Sequence, residues 1–347
     1  MLELTDNEKA VLYGLVRYPE ANDLELSERL EVKRPTVTAI RNRLERQKAY
    51  TTKRIPDLNK LGCELITATS TQYNALTPYE ARKKTRREDQ TTFLEIQTDG
   101  QELTLSAAKN FTQAKRQMEE HLVYGVKNDY FSVDDTKSIT FPLSMSKMFL
   151  LFDYAPLLQR HFMLEPVDRI VCDPKLTQVQ PYEFTENERR VYCTLIERPD
   201  IRETKIAEMF SISRTTVRSI YERMHKNALL KTIRIPDVRK LGLELMVFTH
   251  ISVNSDRPLE SRKANLERVL NSRSHTLMLS SDMESIAISF FKNYGDYQTS
   301  SMKLLEYGRK EGFLAEEPRT LIFPTEDIRF FREASFEKLV NAFAGVQ

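Results

Sequence analysis

Glycine and cysteine are scarce in this chain of 347 residues, at nine and three. So few glycines leave no glycine-rich loop to cradle a phosphate. Cys63, Cys172 and Cys193 lie far apart with no paired spacing, which argues against a disulfide framework or a zinc site. Long apolar runs are missing too. The most apolar stretch, Met145 to Leu164, is broken by Lys147, Asp153, Pro156, Arg160 and His161. A membrane-crossing helix needs about 20 mostly apolar residues, so no membrane partner is expected. Met1-Leu2-Glu3 runs straight into a polar helix start rather than a leader, and a soluble cytoplasmic protein is the expectation. The five histidines (His121, His161, His225, His250 and His275) are scattered, and none recurs at a matching place. No catalytic set, metal site or cofactor is expected.

What the chain does contain is itself, twice. Arg54-Ile-Pro-Asp57 returns as Arg234-Ile-Pro-Asp237, and Lys60-Leu-Gly62 as Lys240-Leu-Gly242. Thr5, Glu8, Leu15, Pro19, Thr36, Val37, Ile40 and Arg43 recur as Thr185, Glu188, Leu195, Pro199, Thr216, Val217, Ile220 and Arg223. Further on, Lys109-Asn-Phe111 matches Lys292-Asn-Tyr294, and Phe141-Pro142 matches Phe323-Pro324. Solenoid repeats are far shorter, so this is a duplicated multi-domain unit.

The net charge of +2 hides an uneven distribution. Residues 33–60 carry +7 and residues 213–240 carry +6, leaving the remainder at −11. Two basic patches on an acidic body point to a polyanion partner with two contact points.

Each unit opens with a capping box, Thr5-x-x-Glu8 or Thr185-x-x-Glu188, ahead of an apolar helix that a proline ends. A short second helix and a three-residue turn lead into a third. There Val37, Ile40 and Leu44, or Val217, Ile220 and Met224, make one apolar face. The opposite faces are basic and polar, and an extended wing follows: a winged helix-turn-helix suited to the major groove. The DNA-contacting residues expected are Lys33, Arg34, Thr36, Thr38, Arg41, Asn42, Arg43 and Arg54 in the first head. In the second they are Ser213, Arg214, Thr215, Thr216, Arg218, Ser219, Arg223 and Arg234. With Arg218 and Glu222 available only to the second head, the two are not expected to read the same half-site.

The rest of each unit alternates as β-α-β-β-α-β, with strands near 65–73, 92–97, 103–108 and 138–142 and helices at 78–88 and 112–124. The second copy repeats this order from Leu245 to Pro324. That order is the ferredoxin-like sandwich. The expected fold class is α+β: two winged helix-turn-helix domains (1–62 and 184–242) alternating with two ferredoxin-like domains (63–145 and 243–326). A helical connector (146–183) and a C-terminal helix (327–347) complete it.

A winged helix-turn-helix, a linker ending in Asp-x-x-Lys-Leu-Gly and a ferredoxin-like module resemble the Lrp/AsnC family of transcription regulators, once per half. The resemblance implies a sequence-specific regulator of double-stranded DNA, here a single-chain pseudo-dimer and not an enzyme. It leaves room for a further homo-oligomer and for a small-molecule effector at the ferredoxin-like interface. The chain departs from the family pattern at the effector turn, which reads Thr98-Asp-Gly-Gln101 and Ser281-Asp-Met-Glu284. Two alternatives stand beside this reading. One is an enzyme similar to the siroheme decarboxylases, whose Lrp-like subunits can be fused in tandem; the complete lack of tryptophan and the scattered histidines count against it. The other is a winged-helix replication initiator, which leaves the ferredoxin-like modules unexplained.

Overall fold

Thr5 and Thr185 each accept a hydrogen bond from the backbone N–H three residues on, while Glu8 and Glu188 reach back. These boxes start α1 (Asp6–Arg17) and its copy α6 (Glu186–Glu197). In the computed structural model, which describes residues 2–78, 80, 89–165, 169–176 and 179–344, both heads have the expected three helices. The first adds α2 (Asp23–Leu30) and α3 (Arg34–Arg46), the second α7 (Glu203–Phe210) and α8 (Arg214–Lys226). Val11, Leu12, Leu15, Leu26, Val37 and Leu44 are fully buried in the first, as the apolar spacing requires. Glu31 and Ser211 take a left-handed conformation to end the second helices. Ser213 caps α8 through its hydroxyl, whereas Lys33 offers α3 no side-chain cap.

The two ferredoxin-like sheets are also present. One comprises β2 (Leu65–Gln72), β3 (Thr92–Gln97), β4 (Gln101–Ala108) and β5 (Thr136–Pro142), with helix α4 (Phe111–Lys127). The other comprises β8 (Leu245–Ser252), β9 (His275–Ser281), β10 (Glu284–Phe291) and β11 (Arg319–Pro324), with α9 (Lys263–Leu270) and α10 (Tyr294–Lys310). Neighbouring strands run antiparallel in both sheets, which follow the same strand order. The fold is α+β, as expected. The helix expected at 78–88 falls largely outside the described residues.

Two segments expected to be helical differ. Residues 145–162 form a strand, β6 (Ser146–Leu150), before the short helix α5 (Ala155–His161). Residues 327–343 form β12 (Arg329–Arg332) and then α11 (Glu337–Ala344). The reason is the sheet edge, whose open N–H and C=O groups need partners. β6 pairs with β9, and β12 with β3.

Those added strands come from the opposite copy, and the compact units follow the same exchange. One unit joins residues 1–52, 145–176 and 233–326; the other joins 53–144, 177–232 and 327–347. Each therefore combines the winged head of one copy with the ferredoxin-like module of the other. The wing strands β1 (Tyr50–Pro56) and β7 (Leu230–Pro236) pair as a two-stranded sheet. Asp237 N–H donates to the Ala49 carbonyl at 2.8 Å in the first unit, and Asp57 N–H to the Leu229 carbonyl at 2.9 Å in the second. In the second unit, Phe336 stacks on Phe93 at 4.9 Å and α11 lies against α6. Among the described residues no helix is long and apolar enough to cross a membrane.

Candidate functional site

The arginines expected to face DNA are largely engaged within their own heads. Arg41 pairs with Asp23 at 2.8 Å and donates to the Ala21 carbonyl at 3.1 Å. Thr38 donates to the same Asp23 at 2.6 Å. Arg43 holds Glu8, the buried acid of the capping box. In the second head Arg223 holds Glu188 at 3.2 Å, Arg214 faces Glu203 at 3.5 Å, and Arg218 pairs with Glu222 at 3.0 Å. Ser213 bonds Thr215 and Thr216 through their hydroxyls. Arg54 lies over the Tyr221 ring at 5.5 Å. Arg234 is buried, donating to the Leu15 carbonyl at 2.9 Å above the Tyr50 ring. Lys33, Arg34, Asn42 and Ser219 are exposed, and Thr36 is half-buried. Part of the positive charge read from the sequence as a polyanion footprint, at Arg41, Arg43, Arg214 and Arg223, thus faces acids of the heads.

The ferredoxin-like modules hold the more unusual chemistry. Strand alternation places Thr67, Thr69 and Thr71 of β2, Glu102, Thr104 and Ser106 of β4, and Glu95 and Gln97 of β3 on one face of the first sheet. That face meets α4 across a cavity of about 620 Å³, lined by Thr67, Thr69, Thr104, Ser106, Gln117 and His121 among others. Glu95, Gln97, Glu102, Thr71 and Thr104 are each at most 2% exposed. Buried carboxylates and hydroxyls are costly unless hydrogen-bonded, and many here are. Tyr73 OH donates to Glu102 at 2.6 Å, Thr69 meets Ser138 at 3.0 Å, and Thr91 OH donates to Asp89 at 2.8 Å. His121 Nε2 is 3.5 Å from Thr71 Oγ1, its ring against Phe131 at 5.0 Å. Arg332 donates to the Thr92 carbonyl at 3.2 Å and stands 3.9 Å from Asp89, a cation beside two residues of the cavity wall.

The second copy is an internal control for this face. Its register aligns Thr71, Glu95, Glu102 and Thr104 with Ile251, Met278, Ser285 and Ala287. His121 corresponds to Leu304, each at the same place in a 17-residue helix with an asparagine N-cap. The matching cavity is only about 100 Å³ and mostly apolar, lined by Val247, Ile251, Leu266, Met278 and Leu304 among others. The same fold therefore forms with or without the polar face. His275 lines this second cavity; burial pushes its pKa down to about 4, and Nδ1 is 2.7 Å from Ser289 Oγ. Sequence reasoning passed over the polar face because each threonine reads as an ordinary strand residue; aligning the two copies position by position would have exposed it. Among the described residues there is no metal-binding cluster.

Neither a protein-family profile nor a curated protein matches the chain. Solved structures do. A siroheme decarboxylase, NirDL, superposes with a TM-score of 0.51 at 10% identity, covering 97% of this chain and 98% of that one. The same enzyme in complex with an iron-uroporphyrin III analogue gives 0.50 at 9% identity, covering 96% and 98%. E. coli AsnC matches 41% of this chain and 93% of its own, with a TM-score of 0.34 and 14% identity. At these identities the likeness shows a fold. The tandem architecture taken from the sequence as a single-chain DNA-binding regulator, and as a sign that the chain is not an enzyme, is over its whole length the architecture of a decarboxylase. Both of those expectations are corrected on that finding.

Proposed function

We propose that this chain is an enzyme of the siroheme decarboxylase type, acting on a carboxylated tetrapyrrole at the polar cavity of its first ferredoxin-like module. The observation that carries the reading is the divergence between copies. Buried Glu95, Glu102, Thr104 and His121 stand where the other copy has methionine, serine, alanine and leucine. Polar groups that folding does not require, kept buried at a cost, are what a reaction site needs. The full-length likeness to a tandem siroheme decarboxylase supports the choice of substrate class.

The cavity receives a carboxylate-bearing edge of the substrate. The bond between that carboxylate and its side-chain carbon breaks, carbon dioxide leaves, and the electron pair stays on carbon. A proton then completes the product, and no oxidant or reductant is consumed. His121 delivers it, with its ring held by Thr71 and Phe131. The threonine hydroxyls orient the substrate, and Arg332 supplies positive charge beside the cavity.

Anaerobic titration of the purified protein with siroheme, followed by mass spectrometry of the tetrapyrrole, tests the reading. Saturable binding and stepwise loss of carbon dioxide are expected. A protein that neither binds siroheme nor releases carbon dioxide from it does not have this function.

A further inference from the structure

The second winged head carries a cavity of about 520 Å³ beside the start of α7, lined by Arg54, Leu195, Arg202, Thr204, Val217 and Tyr221 among others. All of its walls belong to one compact unit. Leu195, Ile206 and Val217, each at most 3% exposed, make its apolar floor. Arg54 lies over the Tyr221 ring, and its Nε and Nη1 are buried without a hydrogen-bond partner among the described residues. The matching arginine of the first head is anchored: Arg234 donates to the Leu15 carbonyl at 2.9 Å.

The first head fills the same corner with its own side chains. Tyr221 corresponds there to Arg41, which pairs with Asp23 at 2.8 Å and donates to the Ala21 carbonyl at 3.1 Å. At the helix start, the Asn22 side chain accepts from the Leu24 and Glu25 N–H groups, and Glu25 accepts from the Asn22 N–H at 3.1 Å. The second head has Arg202 and Lys205 at the positions of Asn22 and Glu25. An arginine side chain has no acceptor, and α7 begins without a side-chain cap. A helix start that satisfies itself in one copy is thus open and surrounded by cations in the other. Arg54, Arg202 and Arg214 face the cavity against one acid among its described walls, Glu203, which Arg214 meets at 3.5 Å. Three positive charges against one negative leave an excess of two.

We infer that this cavity binds a small phosphate monoester, its phosphate held by Arg54 and by the open start of α7 beside Arg202, and its hydrocarbon part on Leu195, Ile206 and Val217. The start of a helix offers N–H donors and partial positive charge, and a guanidinium fork matches the spacing of phosphate oxygens. The excess charge sets the selectivity. A dianion balances it, whereas a carboxylate or a phosphodiester, each with one charge, leaves part of it unmet. The site is separate from the polar cavity of the first module, and nothing in this inference depends on the decarboxylase reading.

Isothermal titration calorimetry of the full chain with phenyl phosphate and inorganic phosphate, and with benzoate and dimethyl phosphate as monoanionic controls, tests it without any tetrapyrrole present. One site per chain is expected for phenyl phosphate, with inorganic phosphate weaker and both controls weaker by roughly tenfold or more. Affinity should fall as salt is added. Arg54→Gln should weaken phenyl phosphate by a similar factor. The paired variant Arg202→Asn and Lys205→Glu installs the capping residues of the first head; it should also weaken binding while raising the unfolding midpoint, so that lost affinity cannot come from lost structure. The inference is overturned if phenyl phosphate does not bind at millimolar concentration, if benzoate or dimethyl phosphate binds as tightly, or if both variants, folded by circular dichroism, bind like the wild type.

Discussion

Lys240 Nζ donates to the carbonyl oxygens of Gln47 and Lys48, at 3.0 Å each, closing the C-terminal end of α3 with a cation from the other copy of the repeat. Lys60 does the same for Asn227 and Ala228 at the end of α8. The last carbonyls of a helix lack partners and carry partial negative charge, so a lysine there meets both needs. The recurring Asp-x-x-Lys-Leu-Gly motif thus has a structural role: it ties the head of one copy to the linker of the other.

Lys240→Met should destabilise the first unit by about 1 kcal/mol, and Lys60→Met the second by a similar amount, since each removes charge-assisted bonds from a partly exposed site. Chemical denaturation of each variant measures this. An unchanged unfolding midpoint in both would show that the caps contribute nothing.

The two buried histidines should separate sharply in function. His121→Gln is expected to slow carbon dioxide release from siroheme by at least about a hundredfold while leaving siroheme affinity within a few-fold of wild type. His275→Gln should leave the rate near wild type. Single-turnover rates and binding titrations on both variants decide it; equal losses, or none at His121, contradict the assignment of the proton donor.

Stability should fall in mild acid. His275 is kept neutral in the fold, with its pKa pushed from 6.5 to about 4 by burial. Above about pH 6.5 neither state binds the extra proton, and the contribution of the neutral ring is intact. Between about 6.5 and 4 the unfolded chain takes up the proton and the fold does not, costing up to roughly 1.4 kcal/mol per pH unit. His161 and His250 are also lowered by burial and act in the same direction. Urea midpoints across this range should decline in the wild type, and the decline should be shallower in His275→Gln.

Copying the second module into the first should exchange function for stability. The combined variant Glu95→Met, Glu102→Ser, Thr104→Ala and His121→Leu installs the residues found at the matching positions of the other copy. It is expected to fold, to unfold at a higher denaturant concentration than the wild type, and to lose siroheme turnover. An active variant would place the reaction elsewhere in the chain.

The sequence alone determined the local structure and the repeat. Capping boxes at Thr5 and Thr185, the i, i+3, i+7 spacing of Val37, Ile40 and Leu44, and the alternation of the strands are short-range signals, and each formed the element that it encodes. Only the tertiary structure decided which copy each element serves. β6 and β12 read as helix because their apolar residues suit either form; the unpaired edges of β9 and β3 select strand. The partners of these charges were decided at the same level. Arg41, Arg43 and Arg223 look outward-facing in a linear pattern, yet Asp23, Glu8 and Glu188, all distant in sequence, claim them. The candidate site was illegible for the same physical reason. Threonines of β2, β3 and β4 and one helix histidine line a polar cavity, with Glu95 and Glu102 buried on the same sheet face, only when sheet register and the packing of α4 bring them together.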